Sequence, residues 1–107
     1  MPVIRIDYDN DIVKSEDVTA LSEATRKIVI EVTGIEDVVV YTNSWQIKVG
    51  IHPIEVFVQI SGSKVPGLDK LFEDIKSKLI GWKKENSFSL PVSLTLIPMD
   101  WKFEVRI

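Results

Sequence analysis

Hydrophobic positions along this chain follow two rhythms, one of period two and one close to 3.6. Val3-Ile4-Arg5-Ile6-Asp7-Tyr8 alternates and is rich in branched residues, which predicts a strand. Asp9-Asn10-Asp11 is a turn signal. Ser15 is placed to cap a helix whose first turn holds Glu16 and Asp17. Val18, Leu21, Ala24, Thr25, Ile28 and Val32 recur at helical spacings and mark the buried face, and Gly34 ends the pattern. Val38 to Thr42 predicts a second strand. Residues 43–53 read as a loop with room for a short strand over Gln46 to Val49.

The order then starts again. Residues 53–60 alternate as a third strand, and Ser61-Gly62-Ser63 breaks it. Pro66 opens a second helix, where a missing N–H costs least, with Leu68, Leu71, Phe72, Ile75 and Leu79 as its apolar stripe. Val92 to Ile97 is a fourth strand. Trp101, Phe103, Val105 and Ile107 alternate with Lys102, Glu104 and Arg106, so the tail predicts a fifth, half-buried edge strand.

Two similar halves result, 2–45 and 53–101, inside one domain spanning 1–107. Each is a βαβ unit if its two strands run parallel. Joined edge to edge they give an α+β domain: a four-stranded mixed sheet with both helices on one face, plus the C-terminal edge strand. One sheet face carries Ile4, Ile6, Ile54, Val56, Val58, Ile60, Val92, Leu94 and Leu96, enough for a core. The other carries Arg5, Asp7, Glu55, Phe57, Gln59, Ser93 and Thr95, too polar for a core and too mixed for a plain wet surface. That mixture predicts burial against another copy, hence a homo-oligomer.

Composition narrows the chemistry. The 107 residues contain no cysteine and one histidine, His52, which removes thiolate and His-rich metal sites and leaves no metal or cofactor to expect. A net charge of −3 is wrong for a general nucleic-acid binder. It is unevenly spread: residues 1–50 hold nine acids and five bases, residues 51–107 seven acids and eight bases. Lys76, Lys78, Lys83 and Lys84 read as a solvated helix end complementing the helix dipole. No apolar run approaches the roughly 20 residues that span a bilayer, and the start shows no secretory pattern, so no membrane partner and a cytoplasmic location are expected.

Met1-Pro2 leading into a strand, two βαβ halves in a chain of this length and an apolar helix closing on Thr33-Gly34 resemble the tautomerase superfamily. That is the group of macrophage migration inhibitory factor and 5-carboxymethyl-2-hydroxymuconate isomerase. Thr42-Asn43-Ser44, Pro53-Ile54-Glu55-Val56 and Leu96-Ile97-Pro98-Met99 are similar to a further branch of the same fold. The resemblance implies a trimer in which Met1 is removed and the Pro2 amine acts as base and acid on a small unsaturated keto acid. The chemistry is sound on its own terms. An α-amino group titrates near ~8, and burial in apolar surroundings lowers that value toward neutrality. Such a base can move a proton next to a carbonyl.

Members of that superfamily also carry a cation for the substrate carboxylate, in the second strand or where the first helix ends. Here Val39 and Ile35 stand in those places, and Asp9-Asn10-Asp11 would repel an anion. Arg5, Lys48 and Arg106 are the candidate cations, any of them recruited from a neighbouring subunit, while Arg26 reads as an exposed helix residue. Asn43 and Trp45, with Tyr41, end the second strand, where a βαβ unit presents ligand contacts. His52 and Asp100 read as loop and turn residues. Two other readings stay open: a non-catalytic oligomeric binding module of the same fold, and a ferredoxin-like small-ligand domain, which shares the order βαββαβ but has an antiparallel sheet.

Overall fold

The computed structural model describes residues 2–62, 67–100, 102 and 104–107. Its elements are β1 (Val3–Tyr8), α1 (Ser15–Thr33), β2 (Val39–Ser44), β3 (Ile54–Ser61), α2 (Leu68–Glu85) and β4 (Ser93–Met99). The four strands form one sheet in the order β2-β1-β3-β4. β1 pairs with β2 in parallel, from Val3 opposite Val39 to Tyr8 opposite Ser44. β3 and β4 are likewise parallel, from Glu55 opposite Ser93 to Ser61 opposite Met99. The centre is antiparallel, with Ile4 opposite Val58 and Ile6 opposite Val56. Two parallel pairs about an antiparallel seam are the expected joined βαβ units, and they overturn the ferredoxin-like reading, whose sheet would be antiparallel throughout.

The core is the sheet face that the alternation selects. Ile4, Ile6, Ile54, Val56, Val58 and Ile60 are buried against Leu21, Ile28 and Val29 of α1 and Leu71, Ile75 and Leu79 of α2. Leu94 and Leu96 join from β4, half-buried because that strand is an edge. α1 buries one polar residue, Thr25, whose hydroxyl donates to the Leu21 carbonyl at 2.7 Å and so costs little. Trp82 and Phe88 close the end of α2, their ring centroids 5.4 Å apart.

Helix boundaries depart from the sequence reading in one respect. Lys14, not Ser15, occupies the N-cap of α1, extended at φ −75° and ψ 151° and without a side-chain cap bond. Its carbonyl accepts from Asp17 and Val18, while Ser15 already lies inside the first turn. The stop at Gly34 is as expected: φ is +72°, and its N–H donates to the Ile30 carbonyl at 2.8 Å. α2 begins at Leu68 with Gly67 as N-cap, φ +76°. Pro66, read as the opener of α2, lies outside the described residues, as do Trp101 and Phe103 of the tail. Lys102 and Glu104–Ile107 lie in no strand of the single chain, and Arg106 has φ +58°.

Candidate functional site

β1 carries the sequence-selected groups toward two different ends. At its start Pro2 is fully buried, and its carbonyl accepts a hydrogen bond from Val39 N–H at 3.3 Å. Gly34 makes this possible by turning the chain back after α1, so that Val38 enters the core and Val39 meets β1. Pro2 is thus buried and fixed through its carbonyl to the head of β2.

Seven residues further on, about 23 Å at strand rise, the other end is ionic. The Lys48 ammonium donates to Asp9 Oδ1 at 2.9 Å and Asp11 Oδ2 at 3.0 Å, and also to Asn10 Oδ1. Asp11 N–H in turn donates to Asp9 Oδ1 at 3.0 Å. The bond from Lys48, reinforced by that backbone N–H, holds the Asp9 carboxyl below the usual carboxylate range. The bond to Asp9, with the one to Asp11, holds Lys48 above the usual lysine range. Asp9-Asn10-Asp11 is therefore not an open acidic turn: its two carboxylates share one ammonium.

Arg5 lies between the ends, on the sheet face away from the helices. Its guanidinium stacks over the Phe57 ring at 4.6 Å, and Nε donates to Asp7 Oδ2 at 3.3 Å. The other oxygen, Asp7 Oδ1, is buried with no hydrogen-bond partner among the described residues. Asn43 sits opposite Asp7 in register, exposed, and Trp45 follows β2, half-exposed. His52 Nδ1 is 3.2 Å from Ser93 Oγ and 3.7 Å from Glu55 Oε1, an exposed loop position as read from sequence. Arg106 is exposed in the tail.

A single chain accordingly gathers Asn43, Trp45 and Lys48 toward the end of β1 that lies away from Pro2. Sequence reasoning passed over Arg26. Although exposed, its Nε donates to the Val38 carbonyl at 2.8 Å and an Nη to the Glu36 carbonyl at 3.5 Å. Val38 precedes the residue bonded to Pro2, so Arg26 is a cation that α1 delivers to the Pro2 end. Its twelve-residue separation from Val38, across the Gly34 reversal, is the only trace of this in sequence. Among the described residues no group of His, Asp and Glu is arranged to hold a metal. No helix among them is long and apolar enough to cross a membrane.

No known family profile and no curated protein matches the chain by sequence. Solved structures do match. A macrophage migration inhibitory factor-like protein from Entamoeba histolytica superposes with a TM-score of 0.64 at 17% identity, covering 96% of this chain and 95% of its own. 5-Carboxymethyl-2-hydroxymuconate delta-isomerase gives 0.65 at 13% identity, covering 97% and 89%. Malonate semialdehyde decarboxylase, solved also with alanine in place of its first-position proline, gives 0.66 at 14%, covering 98% and 92%. The fold of this chain is that of the tautomerase superfamily.

Proposed function

We propose that this protein is a keto–enol tautomerase in which the amine of Pro2, freed by removal of Met1, moves a proton on a small unsaturated keto acid. The observation that carries the reading is the placement of Pro2: fully buried at the head of β1, in a fold shared with isomerase and decarboxylase structures. Burial disfavours the charged ammonium and moves the amine toward neutrality. The pyrrolidine ring fixes the nitrogen's direction. The amine removes a proton α to the substrate carbonyl, and the ammonium so formed returns it to the far carbon of the dienol, so the amine ends as it began. A donor for the substrate's carboxylate and developing enolate is also required. Arg26 supplies it from the same chain, or Arg5, Lys48 or Arg106 from a neighbouring copy in a homotrimer.

Support for the oligomer comes from the sheet face away from the helices. Tyr41, Arg5, Phe57 and Thr95 form a row across it, with an unsatisfied Asp7 oxygen beside them. A half-apolar face with an unpartnered acceptor suits a covering subunit better than water.

Ketonisation of an aryl-pyruvate enol tests the reading, with Met1 removal confirmed by mass. A rate above background that falls at least tenfold in Pro2→Ala, about 1.4 kcal/mol of transition-state stabilisation, is expected. Activity that survives the substitution overturns the Pro2 mechanism. A second reading, a binding module that has lost catalysis, is favoured by the apolar Val39 and Ile35 where superfamily members carry a cation. It is the one left standing if neither protein turns the substrate over.

A further inference from the structure

The lysines of α2 divide by what holds them. Lys70 is paired with Asp74 at 2.8 Å, Lys78 with Glu31 of α1 at 3.5 Å and Lys76 with Glu73 at 3.9 Å. Lys83 and Lys84 have no carboxylate partner among the described residues. Capping the helix end is not what fixes Lys83. The last carbonyls of α2 are already taken, Trp82 by Asn86 N–H at 3.0 Å, Lys83 by Phe88 N–H at 2.9 Å and Lys84 by Ser87 N–H at 3.3 Å. The half-buried Lys83 ammonium reaches sideways instead, donating to the Leu90 carbonyl at 2.7 Å and lying 5.9 Å from the centre of the Phe88 ring. That uses one of its three N–H donors and leaves its charge uncompensated.

Lys83 stands where two hollows adjoin. One, about 300 Å³, lies between α2 and β4 and is walled by Phe72, Leu79, Val92 and Leu94. The other, about 500 Å³, lies beside the turn after α2, against Ser87, Phe88 and Ser89. Ile80 and Lys83 line both, so together they form one trough. Lys76 flanks its first part and Lys84 its second. The neighbouring acids are engaged or turned elsewhere: Glu73 lies beside Lys76, and Glu85 lines the groove toward α1. Space of this size with an apolar wall and few polar groups suits a small ligand. The apolar atoms are recessed, since Leu79 is buried and Phe72, Val92 and Leu94 are half-buried; Ile80, 45% exposed, is the exception. A lipid surface needs apolar side chains that protrude into it, whereas a recessed trough needs a chain that enters.

We propose that the α2–β4 trough binds a free medium-chain alkyl carboxylate, its chain laid along Phe72, Leu79 and Leu94 and its head on the Lys83 ammonium, with Lys84 beside it. A singly charged head matches the one ammonium that the Leu90 carbonyl holds in place. The site belongs to the second βαβ half, whereas Pro2 takes its backbone partner from the first. It therefore stands or falls apart from the Pro2 reading.

Amide nitrogen–proton spectra of the protein titrated with hexanoate, octanoate and decanoate test it. Saturable shifts centred on residues 72–94 are expected, with affinity rising roughly five- to tenfold for each added pair of methylenes. Lys83→Met is expected to weaken decanoate by about fivefold and bring it level with decanol. Ile80→Glu, at an exposed position, is expected to abolish saturation, with far-UV circular dichroism unchanged in both variants. Equal wild-type affinity for decanoate and decanol, or a Lys83→Met titration that overlays the wild type, overturns the carboxylate assignment. Shifts centred on Val3 and Val39 place the ligand at the Pro2 end and overturn the site. The same is true of shifts over 72–94 that grow on concentrating the protein alone, where a second copy fills the trough. Sedimentation with phosphatidylserine vesicles and no saturable binding of free decanoate makes a lipid surface the occupant and overturns it too. Enol turnover is expected unchanged in Lys83→Met, so loss of either reading leaves the other intact.

Discussion

The two ends of β1 solve the same problem in opposite ways. At the Pro2 end the buried backbone is anchored by one N–H from Val39, and the buried Val38 precedes it with Arg26 bonded to its carbonyl. At the Asp9 end a lysine reaches 39 residues along the chain to tie down three side chains of one turn. The apolar end draws its strength from area removed from water, a term that pH does not touch. The ionic end is strong only while three groups keep their charges. A proton-moving amine belongs at the first kind of end, where a lowered pKa follows from surroundings alone; a pinned loop belongs at the second.

That contrast can be broken from either side. Ile4→Ala, in the fully buried row behind Pro2, is expected to cost about 2–5 kcal/mol, read as a shift in urea midpoint. A loss under 1 kcal/mol would mean that the apolar end is not packed as described. Gly34→Ala meets no atom within 4 Å but must keep a φ of +72°, a strain of about 1–2 kcal/mol on the turn that brings Val39 to Pro2. Replacing it with Asn, which tolerates that conformation better, is expected to recover part of the loss.

Lys48→Met tests the ionic end. It should lower the melting temperature by less than Ile4→Ala and raise proteolytic nicking within residues 45–51, with the core intact. Its pH dependence has a definite sign. Asp9 has a lowered pKa in the folded chain, so its contribution is present at neutral pH and fades as pH falls through the folded value, below about 4. Lys48 has a raised one, so its contribution is complete at neutral pH and fades only as pH rises past about 10. The stability gap between wild type and Lys48→Met is therefore widest between those limits and narrows outside them. A gap that does not change between pH 7 and pH 2.5 would show that the cluster contributes packing rather than charge. Smallest of all, Asn43→Ala at the exposed end of β2 should stay within about 0.5 kcal/mol.

What could be read from sequence divides along a physical line. Period-two runs in β1 and β3 name both the strands and their buried face, because a one-residue slip would expose Ile4, Ile6, Val56 and Val58 together. Gly34 names the end of α1 because few other residues accept its backbone angles. The parallel pairs follow from the two βαβ units, while the order β2-β1-β3-β4 is settled only by the antiparallel seam between β1 and β3. The candidate cations were less legible, because Lys48 and Arg26 take their partners from turns 10 to 39 residues away. No local rule marks Asp9-Asn10-Asp11 as a lysine's receptor; on its own it looks like a repulsive turn. Ser15 misled as a cap because Lys14 can enter the helix extended, leaving the first N–H groups to its carbonyl.

The sheet register bears on how the molecule assembles in time. Val39 follows its partner Val3 by 36 residues, and Ser93 follows Glu55 by 38. Closing either βαβ loop therefore costs nearly the same chain entropy, since that cost grows only with the logarithm of length. Neither half gains a head start from topology. Whichever helix holds its turns better in the unfolded chain decides which half forms first, and the antiparallel seam between β1 and β3 joins two nearly equal competitors. A change confined to one helix, distant from every ligand and every interface, is then enough to reverse the route by which this fold is reached.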